Sequence, residues 1–190
     1  VYVLTRMAET AGSSTAWTGT VADVDERPHD ADVTYVNSAT SGQVELVKPA
    51  DAYNGGVREP VKAVLGWVIG REPVSGTSAV AVRIRSGGVN SDTTNRNYTT
   101  TYSFAGKLLT TDPATSAAWT VNGLTGIEVG VVQNGTLDVR VTAIGLTIVY
   151  AVPTYPQVVT VRRERRRGLE VVELQWEADD AGAAGLRDIE

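Results

Sequence analysis

The sequence predicts an all-β fold: an antiparallel β-sandwich or jelly-roll-like domain with an extended C-terminal arm. Three observations lead there. The apolar residues are mostly Val, Ala, Leu and Ile, with one Phe and one Met in the whole chain, and β-branched side chains fit a pleated surface. Short runs alternate apolar and polar residues with the two-residue period of a half-buried strand. Gly, Pro and Asn-Gly turn signals separate those runs, and no long helical periodicity precedes residue 150. Hydrophobic residues make up 42% of the 190, enough to bury a substantial core in a single domain with an appendage.

In chain order, residues 1–20 open with a short strand-like piece and continue into a Gly/Ser/Thr stretch. Residues 21–36 form an acidic, proline-containing loop that leads into a strand at Val33–Val36. "GQVELVKP" (42–49) sets Val44 and Leu46 against Gln43 and Glu45, which reads as a half-buried strand. "REPVKAVLGWVIGREP" (58–73) is strongly apolar, and its flanking prolines together with Gly66 and Gly70 favour strand over helix. "SAVAVRIRSGG" (78–88) places Val80, Val82 and Ile84 on one face and Arg83 and Arg85 on the other, and the Gly pair stops it. Residues 95–113 read as an edge-like strand broken at Gly106. A helical turn is expected around Trp119 to Leu124, then a strand at Gly126–Val132 and a turn at "QNG". Residues 136–152 alternate through Leu137, Val139 and Val141 and then become almost wholly apolar.

The sum is about eight short strands in a domain spanning 1–151. Its expected core is Val80, Val82, Ile84, Val129, Val131, Val139, Val141 and Ile144, with Trp67 and Trp119. Composition shifts near residue 152. "VPTYPQ" has the proline spacing of a linker, and strand-like pieces at 158–161 and 169–176 flank the run "RRERRR" (162–167). Residues 152–190 therefore read as an extended arm or β-ribbon. A lone ribbon is marginal in water, so it is expected to lie against another surface, such as that of a second subunit.

Several function classes are excluded or disfavoured. With no Cys, disulfides, thiolate metal sites and Cys nucleophiles are absent. A net charge of −5 argues against bulk attraction to nucleic acid or anionic membranes. No apolar run approaches the length of about 18 residues that marks a membrane span. The start "VYVLTRMAET" lacks the order of a secretory signal.

Each candidate for chemistry has a plain structural alternative. The single His, His29, sits in an acidic loop with Asp23, Asp25, Glu26, Asp30 and Asp32. Such a loop can gather oxygens around a hard cation, but the spacing lacks an EF-hand order, and a solvated acidic loop whose carboxylates cap turns is the favoured reading. No Ser has the surroundings of a nucleophile elbow, so His29 is not assigned as a catalytic base. "RRERRR" can neutralise phosphates, yet acidic residues flank it and no aromatic interleaves it, so pairing with carboxylates is the expected role. Trp17, Tyr53, Tyr98 and Tyr102 could form a sugar-stacking platform, but scattered aromatics in a β-sandwich are more often core or rim. No catalytic, cofactor-binding or metal-ligating residue is assigned.

One stretch resembles a known class. "TTDPATSAAWT" (110–120) followed by "NGLTGIEVGVV" is similar to a segment of virion structural proteins of tailed bacteriophages. "AVRIRSGGVNSD" and "DVDERPHDADVTYVNSATSGQVELV" resemble two further pieces of those proteins, so the likeness spans roughly residues 18 to 151. Ser116 stands where a Gly is common. The resemblance implies a jelly-roll-like module of the head, collar, tail or fibre, located in the virion. It also implies a non-enzymatic homo-oligomer partnered by copies of itself and other virion proteins. Asp112 before Pro113 favours a turn, and Thr115 or Ser116 can cap it, so the stretch is expected to be a corner between sheets. The alternative function on the same architecture is a carbohydrate-binding module, for example for attachment to a host surface.

Overall fold

The computed structural model describes residues 1–50, 60–74, 76–151, 157–166, 169–177 and 187–189. Its compact units are Val1–Val152 and Pro153–Glu190.

The first unit is an antiparallel β-sandwich. Its strands are β1 (Tyr2–Thr15), β2 (Val36–Ser38), β3 (Val44–Pro49), β4 (Val61–Arg71), β5 (Ser78–Ser86), β6 (Val89–Asp92), β7 (Arg96–Tyr98), β8 (Ser103–Leu109), β9 (Glu128–Gln133) and β10 (Val139–Tyr150). They follow the order β6-β5-β9-β3-β1-β10-β4-β8, with β2 added to β10 and β7 to β5. β1 belongs to both layers. Tyr2–Met7 pairs with β10, whereas Ala8–Thr15 pairs with β3 through two register irregularities. Such irregularities bend a strand and increase its twist, which lets one chain segment turn from one sheet into the other.

The core fills the space between the layers. Val64 and Val68 of β4 and Ile144, Leu146 and Ile148 of β10 meet Val80, Val82 and Ile84 of β5, Val129 and Val131 of β9 and Val47 of β3. The period-two expectation for β5, β9 and β10 holds, because each alternating set points to one face.

The stretch 110–120 forms the corner between β8 in one layer and β9 in the other. The Asp112 carboxylate accepts the Ala114 N–H at 2.9 Å, its carbonyl accepts the Ser116 N–H at 2.8 Å, and its own N–H donates to the Ala117 carbonyl at 2.8 Å. Thr115 Oγ1 caps the Ala117 N–H at 3.3 Å. Ser116 takes the left-handed region with φ 58°, a conformation easiest for Gly. Trp119 is buried beneath this corner, and its Nε1 donates to the Leu109 carbonyl at 3.2 Å.

Other boundaries differ from the expectation. β1 continues through Gly12 and Ser13 because β3 supplies its ladder. The Gly87-Gly88 pair, with φ 53° and 86°, does more than stop β5: it reverses the chain into β6. The helical turn shrinks to a short 3₁₀ turn at Asn122–Leu124. Gly106 does not break a strand. The interruption falls between β7 and β8, and Gly106 sits mid-strand as the register partner of Trp67.

In the second unit, β11 (Gln157–Arg166), β12 (Leu169–Glu177) and β13 (Arg187–Ile189) form a three-stranded antiparallel sheet. Most of the Arg run lies within β11, where Arg162 is in register with Glu173 and Arg165 with Glu170.

Candidate functional site

β4 has two faces. Val64, Gly66 and Val68 look into the sandwich, so Leu65, Trp67 and Ile69 occupy the outer face. On β10, Thr147 faces Leu65 across the ladder, Gly145 faces Trp67 and Ala143 faces Ile69. On β8, Gly106 faces Trp67 and Phe104 faces Ile69. Thr5 of β1 completes the row beside Thr147. These side chains floor a cleft of about 390 Å³, and Glu26, Arg27, Pro28 and His29 from the acidic loop wall it.

Trp67 has a glycine on both neighbouring strands. That clears the surface on either side of its Cα and lets the indole lie over Gly145. A Cβ at Gly145 would stand 2.3 Å from Trp67 Cζ2, too close for any side chain to occupy with the ring in place. The indole Nε1 donates to Thr147 Oγ1 at 3.2 Å, and Thr147 shares a 3.0 Å hydrogen bond with Thr5. Phe104 lies over Gly106 in the same way and stacks beside Trp67, with ring centroids 6.2 Å apart and planes inclined by 27°. Trp67 is only 8% exposed and forms the base of the cleft, whereas Phe104 is 50% exposed and forms its open ring.

The loop wall is held from behind. Asp32 bonds Arg71 through both guanidinium contacts, accepts the Tyr102 hydroxyl and lies 3.6 Å from Arg140. Tyr102 in turn carries the His29 ring at 5.2 Å and the Arg71 guanidinium at 5.2 Å. Asp30 accepts the Thr34 hydroxyl at 2.8 Å and the Thr142 hydroxyl at 3.1 Å. Desolvation opposes the charge on Asp30, but the bonds from Thr34 and Thr142 outweigh it and hold the carboxyl below its usual range. Glu26, at the cleft, is raised by desolvation and by its hydrogen bond to Asp30. Asp23 closes the turn at Thr20, accepting its N–H at 2.6 Å. The acidic residues of 23–32 are thus drawn to different partners, and among the described residues no three His, Asp or Glu converge as a metal set.

Of the aromatic candidates for stacking, two take the core reading. Trp17 and Tyr98 are buried in the core, at 5% and 0% exposure: Tyr98 sits on the inward face of β7, and Trp17 follows the end of β1. Tyr53 lies outside the described residues. Tyr102 supports the wall and is not among the residues that line the cleft. Trp67 was expected in the core; it is covered, but on the opposite face of its strand from the core valines. Phe104, Thr5 and Thr147 were not singled out. The legible signal was the odd-numbered set Leu65, Trp67 and Ile69, left over once the even positions of the same run are assigned to the core.

No family model and no curated protein matches the sequence. Among solved structures, the chain is similar to the CBM22-1 and GH10 modules of an endo-1,4-beta-D-xylanase 10B from Clostridium thermocellum, solved with xylohexaose. The TM-score there is 0.45 at 10% identity, covering 82% of this chain and 30% of that one. A CBM22-1 xylan-binding domain from Paenibacillus barcinonensis gives a TM-score of 0.43 at 10% identity, over 78% of this chain and 95% of that one. The CBM22-1–CBM22-2 tandem domain from the same organism gives 0.36 at 12% identity, over 94% and 65%. The likeness is one of β-sandwich architecture. None of these structures is a virion component, and the expected role of virion structural protein is corrected accordingly and not carried forward.

Proposed function

We propose that the chain is a non-catalytic carbohydrate-binding β-sandwich module that takes a glycan in the cleft over Trp67 and Phe104. The observation that carries the reading is the aromatic floor facing a polar wall. A pyranose ring has faces of C–H groups and a rim of hydroxyls. The C–H face suits the electron-rich face of an aromatic ring, and the rim suits hydroxyl, imidazole and guanidinium partners. The cleft offers Phe104 and Trp67 for the first, and Thr5, Arg27 and His29 for the second. This is the usual balance of a ligand site, mostly apolar with a few placed polar groups. Hydrolysis of a glycoside by the common route needs two carboxyl groups flanking the bond. Among the described residues lining this cleft, Glu26 is the single carboxyl.

Calorimetric titration with xylohexaose, cellohexaose and mannohexaose tests the reading. At least one is expected to bind saturably to the wild type, and Phe104→Ala is expected to weaken that binding about tenfold or more. Phe104 is half exposed, so the variant should keep its thermal midpoint within a few degrees. A wild-type protein that binds none of the three contradicts the proposal.

A further inference from the structure

A second cavity opens at the end of the cleft. Thr93, Thr94, Asn95 and Arg96, from the segment joining β6 to β7 and the start of β7, enclose about 320 Å³ against Ala105 and Gly106 of β8. The two cavities meet at β8. Phe104 lines the first, Gly106 lines the second, and the Phe104 ring lies directly over Gly106. β8 ends its sheet, so alternate backbone groups along its outer edge have no ladder partner. From the proposed function it follows that a glycan crossing the floor from Thr5 to Phe104 traverses β1, β10, β4 and β8. With strands about 4.8 Å apart, three intervals give a path of about 14 Å. A chain longer than that path passes over the β8 edge into the second cavity.

The polar groups there are fixed in place and still have bonding capacity. Thr93 is locked to β5: its N–H donates to the Val82 carbonyl at 2.9 Å and its Oγ1 accepts the Val82 N–H at 2.9 Å. Asn95 Oδ1 accepts from Asn134 Nδ2 at 2.7 Å, which orients the Asn95 amide and leaves its Nδ2 free to donate. Lys107 Nζ donates to the Asp92 carbonyl at 2.6 Å and ties β8 to this wall. Arg83 is taken by Asp92 in a bidentate pair, and Arg85 by Glu128. Arg96 has no carboxylate partner among the described residues and presents its donors at the surface.

We infer that this notch is an outer subsite for the same polysaccharide. Asn95 Nδ2 and the Arg96 guanidinium there donate to hydroxyl or carboxylate oxygens of sugar units beyond the aromatic floor. The site therefore selects polymeric glycans over short oligosaccharides. It reads hydrogen-bond acceptors where the cleft reads ring faces.

The test is a calorimetric length series with xylo-oligosaccharides and cello-oligosaccharides of two to six units. It compares the wild type, the double variant Asn95→Ala with Arg96→Ala, and Phe104→Ala. In the wild type, affinity should rise with length up to six units. The double variant should bind the hexamer about tenfold more weakly, close to the wild-type value for the trimer, and bind the trimer unchanged. Phe104→Ala should weaken trimer and hexamer alike. Both altered residues of the double variant are exposed, so an unchanged thermal midpoint serves as the control for folding. Equal hexamer affinity in wild type and double variant overturns the outer subsite and leaves the cleft reading standing. So does an equal loss for trimer and hexamer. A wild type that binds no member of the series removes the outer subsite, and if mannohexaose is not bound either, the cleft reading falls with it.

Discussion

Trp67 and Gly145 are register partners on adjacent strands, and the indole lies so close over the glycine that a Cβ there would stand 2.3 Å from Cζ2. The shape of the cleft depends on this contact. In Gly145→Ala the ring must lift from the sheet into the space a ligand would use. Overpacking of this kind costs about 1–3 kcal/mol, and glycan affinity is expected to fall about tenfold or more. Denaturant unfolding and calorimetry read the two effects separately. If affinity and the near-ultraviolet indole signal both match the wild type, Gly145 is not what sets the ring.

That pair also shows what the sequence discloses. The period-two pattern places Val80, Val82 and Ile84, and again Val139 and Val141, on one face, so strands and core were legible wherever one face is buried. The residues 65, 67 and 69 were readable as the opposite face of β4. The partners that make this face a cleft were not. Gly145 and Gly106 are far from Trp67 in sequence and meet it only through strand order and register. Gly106 taken alone suggests a break, and its mid-strand role appears only beside the indole. Trp17 and Tyr98 take the core reading, and the sequence left the stacking reading open beside it for a related reason. An aromatic residue next to polar neighbours shows which side it buries only once the chain around it is packed.

Trp119 anchors the corner between the two layers. It is 2% exposed and its Nε1 bonds the Leu109 carbonyl. Trp119→Ala is expected to cost about 3–5 kcal/mol, the range for deleting a large buried aromatic. An unchanged denaturation midpoint would exclude the ring as a core anchor.

Asp32 gathers Arg71, Arg140 and Tyr102 behind the cleft wall. Asp32→Ala removes the carboxylate of Arg71 and leaves Arg140 only its 3.8 Å approach to Asp138. The site is partly exposed, so a loss of about 1–2 kcal/mol is expected. Hydrogen exchange should also rise in residues 26–34. No change in either measurement would mean that the wall is held by Asp30 alone.

Glu45 supplies a pH dependence. It shares a strand face with Val47, is 3% exposed, and its carboxylate accepts the Trp17 N–H at 3.2 Å. Burial raises its pKa to about 7, against an ordinary value of 4.5, with the Trp17 bond partly opposing the rise. The folded state therefore holds this proton more tightly than the unfolded state. Its contribution is full below about pH 4.5 and is lost as pH climbs to about 7. After allowance for solvent screening the loss is ~1–2 kcal/mol. Glu45→Gln should flatten the stability profile over that window, as measured by urea unfolding at several pH values. A variant whose profile keeps the wild-type slope would place the titration elsewhere.

Residues 153–190 form a unit with its own antiparallel sheet, in which Arg162 and Arg165 stand in register with Glu173 and Glu170. Ladder bonds and opposite charges on paired strands give that sheet local reasons to form. Among the described residues, the core of the first unit runs from Ala8 to Ile148 and draws on both layers of the sandwich. A fragment ending at Val152 is therefore expected to fold, with a β-type far-ultraviolet spectrum, and to bind glycan as the full chain does. The expectation that the second unit joins copies of the chain is read from mass. Light scattering should then show an oligomer for residues 1–190 and a monomer for 1–152. Equal oligomeric masses would move the contact into the sandwich, and a fragment that fails to fold would make the two units one.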